Sequence, residues 1–429
     1  MNNTKNYIFL LFTLLILAKL AHGQESIDNE MERMGLSKNL FSVSKTAENE
    51  TIVQPNNNII KGELYLNNTS ANTLLSFEGV TFENNVLIQG TKFSKDIYFI
   101  GSNFQKEAIF YDCEFFGNVY FIGATFDGGV SFLRSHFNNE VTFRESIFKT
   151  DANFSETTFK NKTNFSLASF LGKVDFSYST FLSRSVDFSS SMFYNSIIFY
   201  KTKMPNEINF GGVSIEKEID FTSIGNHVED DKCLINLYGT TIDKIRLNYQ
   251  QIKLQFEPKL SFDQISNIYY MLLKKQKNDG FTKSYELLDL DYQKIYYFEG
   301  IEKKYLYWIN KIWWNFGYNK ERIFLHALWM FSLFFIINYI GFEYFVNHVY
   351  VVNNLKEAIE KNRKKYISTK FKVKMLPAVF YYTSLIFFGL NLNIDNFNFS
   401  RPFGVAYIFA IYLSGLVCIA YMFNYIISI

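Results

Sequence analysis

Residues 152–159 read Ala152-Asn153-Phe154-Ser155-Glu156-Thr157-Thr158-Phe159, and residues 174–181 read Val174-Asp175-Phe176-Ser177-Tyr178-Ser179-Thr180-Phe181. The spacing extends in both directions. Phe121, Phe126, Phe132, Phe137, Phe143 and Phe148 precede the first stretch, and the series runs from Phe77 to Phe221 in steps of alternately five and six residues, a unit of eleven. Ile88, Met204 and Ile215 fill the rungs without Phe, and the one slip is the seven-residue step from Phe181 to Phe188. An amphipathic helix would repeat every three or four residues and a flat strand every two. A fixed period of this length marks a repeat architecture.

A second signal lies two residues before each rung. After a five-residue step it is small (Cys113, Ala124, Ser135, Ser146, Thr157, Ala168, Ser179, Ser191). After a six-residue step it is mostly β-branched or Ala (Ile97, Val119, Val130, Val141, Ala152, Val174, Val186, Ile197). Polar residues such as Arg144 and Glu145 fall between, so both positions point inward. The spacing fits a chain that turns a corner every few residues and stacks coil on coil. Each coil buries its Phe against its neighbours, and no single coil is stable alone. Burying each Phe contributes roughly 2–3 kcal/mol.

The two quoted stretches resemble the pentapeptide-repeat family, in the variant whose repeats read like Ala-Asp-Phe-Ser-x-(Ala/Ser)-Thr-Phe. The resemblance implies a right-handed quadrilateral β-helix, a pentapeptide-repeat solenoid. It says much about shape and little about function.

The chain has 429 residues and a formal net charge of +2, which gives no reason to expect a nucleic-acid partner. Residues 1–23 read as a secretory signal peptide, with Lys5 in the charged region, an apolar run, and Ala21-His22-Gly23 as the cleavage site. Residues 24–60 are polar, Asn-rich and unpatterned, a loose leader. The repeat with its cap is assigned to 61–256, where Leu237, Ile242, Leu247 and Ile252 continue at intervals of five. The three cysteines make no disulfide framework.

Beyond the cap, Ser261-Phe262-Asp263-Gln264 is a capping-box pattern opening a helix that Gly280 ends. A second helix runs from about Lys283 to Trp314 with a break at Gly300, completing a helical connector over 260–320. Tyr305, Tyr307, Trp308, Trp313 and Trp314 suit a water–lipid boundary. The remainder, 321–429, reads as an α-helical transmembrane region with apolar segments at 323–342, 375–394 and 402–428; about twenty residues cross a bilayer. The first and last read as spans. The middle one, with Pro377 near its start and Gly389, Asn391 and Asn393 at its far end, either spans or enters and turns back.

This last third is similar to bacterial membrane proteins that join pentapeptide repeats to a two-helix, potassium-channel-like module. The resemblance rests on Tyr270-Met271-Leu272-Leu273-Lys274-Lys275 with Gly280, on Gly317-Tyr318 with Arg322, and on the pore-helix-like run Phe380 to Gly389. It implies a pore-like segment comprising Thr383, Ser384, Phe388, Gly389, Asn391 and Asn393. A potassium filter resembles Thr-Val-Gly-Tyr-Gly. This chain instead has Phe388-Gly389-Leu390-Asn391-Leu392-Asn393, with one Gly and no Tyr, so selective potassium conduction is not expected.

Lys356, Lys361, Arg363, Lys364, Lys365, Lys370, Lys372 and Lys374 outnumber Glu357 and Glu360 between the first two apolar segments. The positive-inside rule places that loop in the cytoplasm. A signal peptide places the repeat outside, so the two agree on one orientation. No His-Glu-x-x-His, Walker-type loop or Cys-x-x-Cys occurs. His326 is the one titratable group of interest inside a span, at its outer end. Asp175, Asp187 and Asp220 each precede a Phe and read as a repeat feature rather than a catalytic pair. The expectation is a non-enzymatic protein without cofactor or metal, seated in the bacterial inner membrane with its repeat domain extracytoplasmic. It would act as a binding or scaffolding rod whose partners are the lipid bilayer, an envelope protein or further copies of itself. The alternative is a degenerate, channel-like ion conductor.

Overall fold

The computed structural model describes residues 29, 31–32, 34, 36, 40–45, 50–225, 232–365, 368–390 and 392–427. The expected signal peptide, 1–23, lies outside them. Two compact units divide between Tyr292 and Gln293.

The first unit is a four-sided β-helix. Among the described residues its sides are sheets of eleven, eight, nine and six short strands, parallel except for the first pair of the eleven-stranded side, and successive strands along the chain fall on successive sides. Between Leu64 and Phe181 residues twenty-two apart are therefore in register: Phe104 pairs with Phe82 on one side and Phe126 on the other. Four rungs make one coil. The Phe rings stack face to face down the interior, as with Phe121 against Phe99 at 4.8 Å and against Phe143 at 5.0 Å. Phe121 also meets Phe132 edge-on at 5.5 Å. Offset stacks and edge contacts are the favoured ring geometries, so the spacing secures ring complementarity as well as burial.

The small inward residues have a polar task. Ser135 Oγ donates to the Phe110 carbonyl at 2.8 Å, Ser146 Oγ to Phe121 O at 2.6 Å and Thr157 Oγ1 to Phe132 O at 2.8 Å. The Phe121 and Phe132 carbonyls also accept the backbone N–H three residues on, from Ala124 and Ser135 at 3.0 Å each, so the hydroxyl of the next coil fills the second lone pair of a corner carbonyl. Outside, Asp175, Asp187 and Asp220 each accept the backbone N–H two residues on (Ser177 at 2.9 Å, Ser189 at 2.9 Å, Thr222 at 2.7 Å), an Asx turn that fixes the corner.

One corner per eleven residues requires a left-handed backbone conformation. Glycine supplies it at Gly79, Gly90, Gly101 and Gly123, but Arg134, Glu145, Glu156, Leu167 and Tyr178 adopt φ of 56–60° at the same place. A side chain there costs about 1–2 kcal/mol. The N–H of each such residue is tied to the next coil: Glu145 N donates to Ser166 O at 3.0 Å and Leu167 N to Ser189 O at 2.9 Å.

The slip has a visible consequence. Across it the register widens by one residue, Val186 pairing with Thr163 and Met192 with Ser169, twenty-three positions apart, and the six-stranded side carries on through a parallel bridge from Thr180 to Lys203. The extra residue is absorbed at the corner between Phe181 and Val186. The leader is less loose than its composition suggests. Phe41–Lys45 and Thr51–Pro55 form an antiparallel pair, and Thr51–Pro55 adds to the eleven-stranded side. Phe41 supplies the reason, meeting Phe77 edge-on at 6.3 Å.

At the other end Leu237, Ile242, Leu247 and Ile252 are all buried. Two helices follow, α1 (Phe262–Asn278) and α2 (Thr282–Ile295). The capping box forms: Ser261 Oγ accepts Gln264 N, and Gln264 Oε1 accepts Ser261 N at 2.9 Å. Gly280 (φ 75°) ends the turn after α1. Asp291 accepts from the buried Tyr249 hydroxyl at 2.6 Å and from Tyr269 at 2.8 Å, clasping α1 and α2 to the last coil. Burial, first, and the Asp291 carboxylate hold both phenols well above their ordinary pKa.

The second unit comprises α3 (Lys304–Trp313), α4 (Arg322–His348), α5 (Asn353–Lys365), α6 (Ser368–Phe387) and α7 (Pro402–Ile427). The expected break falls at a π-turn over Tyr296–Gly300. Among the described residues two helices, α4 and α7, are long and apolar enough to cross a membrane. They run antiparallel: Phe324, early in α4, meets Tyr425, late in α7, at 5.4 Å, while Gly404, early in α7, packs on Val349, just past α4. Trp313 and Trp314 of the expected aromatic belt gather around Tyr421 at 5.9 and 5.1 Å. His326 joins this end, its ring stacked on Trp313 at 5.4 Å and its Nε2 2.9 Å from Ile312 O.

Candidate functional site

The middle apolar segment, expected over 375–394, is not a helix of that extent. Its helix, α6, is 368–387, starting earlier and stopping sooner. Three lysines, Lys370, Lys372 and Lys374, fall within its first two turns, and the apolar part from Met375 to Phe387 is roughly 20 Å long at 1.5 Å per residue. That is short of the ~30 Å hydrocarbon core. The helix ends where the sequence places Gly389. Leu390 N donates to Leu385 O at 2.8 Å and Gly389 N to Ile386 O at 3.1 Å, with Gly389 at φ 65°, a Schellman stop. In the structure Gly389 is thus a helix terminator.

The end of α6 sits in the middle of the bundle. Phe387 and Phe388 pack on Phe331 of α4 at 5.6 and 6.0 Å, and the Phe387 carbonyl rests on Gly415 of α7, where any Cβ would overlap it. From there the chain returns to the end of α4. Asn393 N donates to the Tyr350 hydroxyl at 3.2 Å, Val351 N to Asn396 O at 2.9 Å and Asn398 N to Val349 O at 2.9 Å. The segment between α4 and α7 is therefore a half-helix that enters the bundle and comes back out at the end from which it entered.

Three polar side chains lock α6 to both long helices. Asn338 of α4, fully buried, donates through Nδ2 to Thr383 Oγ1 of α6 at 3.0 Å and accepts from the Tyr407 hydroxyl of α7 at 3.1 Å. Thr383 Oγ1 in turn donates to Val379 O at 2.9 Å. An unpaired polar group in an apolar bundle is costly, and this relay satisfies the amide from both sides. It can orient helices but holds no group that exchanges a proton near neutral pH.

The six pore-like residues do not form one cluster. Thr383 belongs to the relay. Ser384 Oγ is buried without a partner, Phe388 is exposed, and Gly389 is the helix stop. Asn393 turns outward, its Oδ1 accepting Asp395 N at 3.0 Å. Asn391 lies outside the described residues. Sequence reasoning missed Asn338 and Tyr407; the available signal was a lone amide within the otherwise apolar stretch 323–342. Among the described residues no group of three or more His, Cys, Asp or Glu is placed to hold a metal. Burial pushes the Cys113 and Cys233 thiols up to about 12, so both are protonated and inert at neutral pH.

Residues 77–125 and 110–158 match the family described as pentapeptide repeats (9 copies). Neither the search of curated proteins nor that of solved structures returned a match.

Proposed function

We propose that the chain is a membrane-anchored repeat protein whose solenoid presents a rigid binding or scaffolding surface to a partner in the cell envelope. The match of residues 77–158 to pentapeptide repeats supports the solenoid half of this reading. One observation carries the whole: the same chain holds a solenoid, whose repeating geometry serves shape rather than catalysis, and two helices of membrane-crossing length. A strip of Leu171, Met192 and Tyr194 on the eight-stranded side is exposed and supplies apolar contact area between polar corners. The basic residues between α4 and α6 favour a cytoplasmic place for that end of the bundle. With two antiparallel spans, the solenoid then lies outside the inner membrane.

Single cysteines introduced as Lys162→Cys and Lys364→Cys, in a chain without its own cysteines, test the orientation. Labelling at position 162 from outside, with position 364 protected, is the expected result; the reverse overturns it. Photo-crosslinkers placed in turn at Tyr194, His136, Tyr120 and Ser131, one per side, test the binding role in intact cells. Discrete adducts concentrated on one side are expected, and no adduct from any side sinks the scaffold.

The half-helix favours a second reading. A helix that stops in mid-bundle, with the chain turning back toward the end from which it entered, is the arrangement of an ion-conducting pore loop. In that reading several copies assemble with the 388–398 segments facing a common axis. Cation flux through liposomes carrying the purified oligomer supports it; a monomer without flux removes it.

A further inference from the structure

We propose that the solenoid carries a binding site for a neutral saccharide, in a cleft of about 290 Å³ at the cap end of its eleven-stranded side. The site belongs to the first unit alone and is independent of the membrane reading. It is lined by two paired strands, Glu207–Asn209 and Cys233–Asn236, and by the segment 255–258, which leaves the last strand, Ile252–Leu254, toward α1. Two Asx turns set the polar groups on the strands. Asn209 Oδ1 accepts Gly211 N at 3.0 Å and Asn236 Nδ2 at 3.1 Å, and Asn236 Oδ1 accepts Tyr238 N at 3.0 Å. With both oxygens held, the two N–H groups of Asn209 Nδ2 and one of Asn236 Nδ2 have no acceptor among the described residues. Beside them, the half-buried Gln255 and the exposed Glu257 have no side-chain partner among the described residues either.

This set of donors and acceptors narrows the ligand. No lining residue is Lys or Arg, so an anion finds no counter-charge. Glu207 is held by Arg184 at 3.2 Å, which leaves Glu257 as the unpaired carboxylate of the lining, and a single exposed carboxylate holds a cation weakly. A purely apolar ligand would leave the free amides without partners. Addition of a peptide as a further strand is closed off, because Glu207–Asn209 and Cys233–Asn236 are each paired on both edges and Gln255 N already donates to Ile235 O at 2.8 Å. What remains is a ligand whose groups both donate and accept. A hydroxyl does both, and amides beside a carboxylate answer several hydroxyls at once. Phe256, half-buried and braced by Tyr269 at 5.7 Å, lines the same cleft and offers a flat apolar surface to the C–H face of a sugar ring. The volume lies at the small end of ligand sites, which suits a short saccharide. In this site Asn209 and Gln255 donate, Glu257 accepts and Phe256 is the platform.

The test is a glycan array probed with the full chain in sugar-free detergent micelles. The array carries neutral gluco-, manno-, galacto- and N-acetylhexosamine oligosaccharides, with sialylated glycans, uronic-acid glycans and unglycosylated peptides as comparisons. Binding concentrated on one neutral series is expected. Gln255→Ala with Glu257→Ala should weaken that signal by about tenfold, the equivalent of roughly one to two hydrogen bonds. Neither side chain has a partner among the described residues whose loss would unfold the chain. Lys162→Gln, elsewhere on the solenoid, should change nothing. Inhibition by the corresponding free monosaccharide identifies a single sugar unit as the ligand, and inhibition by the longer oligosaccharide alone identifies a polymer segment; both sustain the site. No binding to any neutral series, a preference for the acidic glycans or the peptides, or a neutral signal that survives the double substitution overturns the proposal.

Discussion

The two units bury polar groups by opposite means. In the solenoid, buried hydroxyls such as those of Ser135, Ser146 and Thr157 answer backbone carbonyls, and the same bond recurs coil after coil. In the helical unit, Asn338 joins Thr383 and Tyr407 side chain to side chain across three helices, once, with the Thr383 hydroxyl handing its own proton to the Val379 carbonyl of its helix. The first device closes corners and is repeated wherever a corner occurs. The second fixes the placement of three helices that would otherwise slide over mutually apolar surfaces. A repeat can lose one hydroxyl and remain a repeat; the bundle has a single relay.

The largest effect expected is at the solenoid's rings. Phe143 is fully buried between Phe121 and Phe165, at 5.0 and 4.9 Å, and Phe143→Ala should cost about 3–5 kcal/mol in denaturant unfolding followed by circular dichroism. If it costs no more than the loss of Asn338, the contrast between shared and singular contacts fails. Next is Gly415→Ala, which pushes a methyl into the Phe387 carbonyl and should cost about 1–3 kcal/mol, read from unfolding of the helices in mixed micelles. Asn338→Leu should cost less, about 0.6–1.7 kcal/mol, and Thr383→Val in the same background should add little, because the two share one relay. Additive losses would show that they act apart. The smallest effect has the opposite sign: Leu167→Gly relieves a left-handed side chain and should stabilise the solenoid by at most about 1 kcal/mol, while Gly123→Leu at the equivalent corner should destabilise it.

These regions are unequally legible in the sequence. The Phe spacing reveals the solenoid because every coil meets the same steric demand, so the same residue type returns. The left-handed corners stay hidden: Arg134, Glu145, Glu156, Leu167 and Tyr178 share a backbone conformation but no side-chain chemistry, since what holds them is a neighbour's carbonyl. Phe41 gives no signal because it follows a run without period, although its ring meets the end of the stack edge-on at Phe77. In the helical unit, hydropathy finds α4 and α7. It misplaces α6, since a half-helix looks like a short span until the Schellman stop at Gly389 is seen. Asn338 and Tyr407 are 69 residues apart, about half the unit, and nothing local to either announces the other.

The register of the solenoid makes residue number a measure of height. Between Leu64 and Phe181, atoms twenty-two positions apart sit one above the other, as Arg134 Nε sits 2.9 Å from Glu156 Oε2, and each such step advances by one strand spacing of about 4.8 Å. The molecule is in that sense a graduated scale. Splicing in or removing one twenty-two-residue coil would reset the distance between its two ends by a single increment and leave every other graduation unchanged.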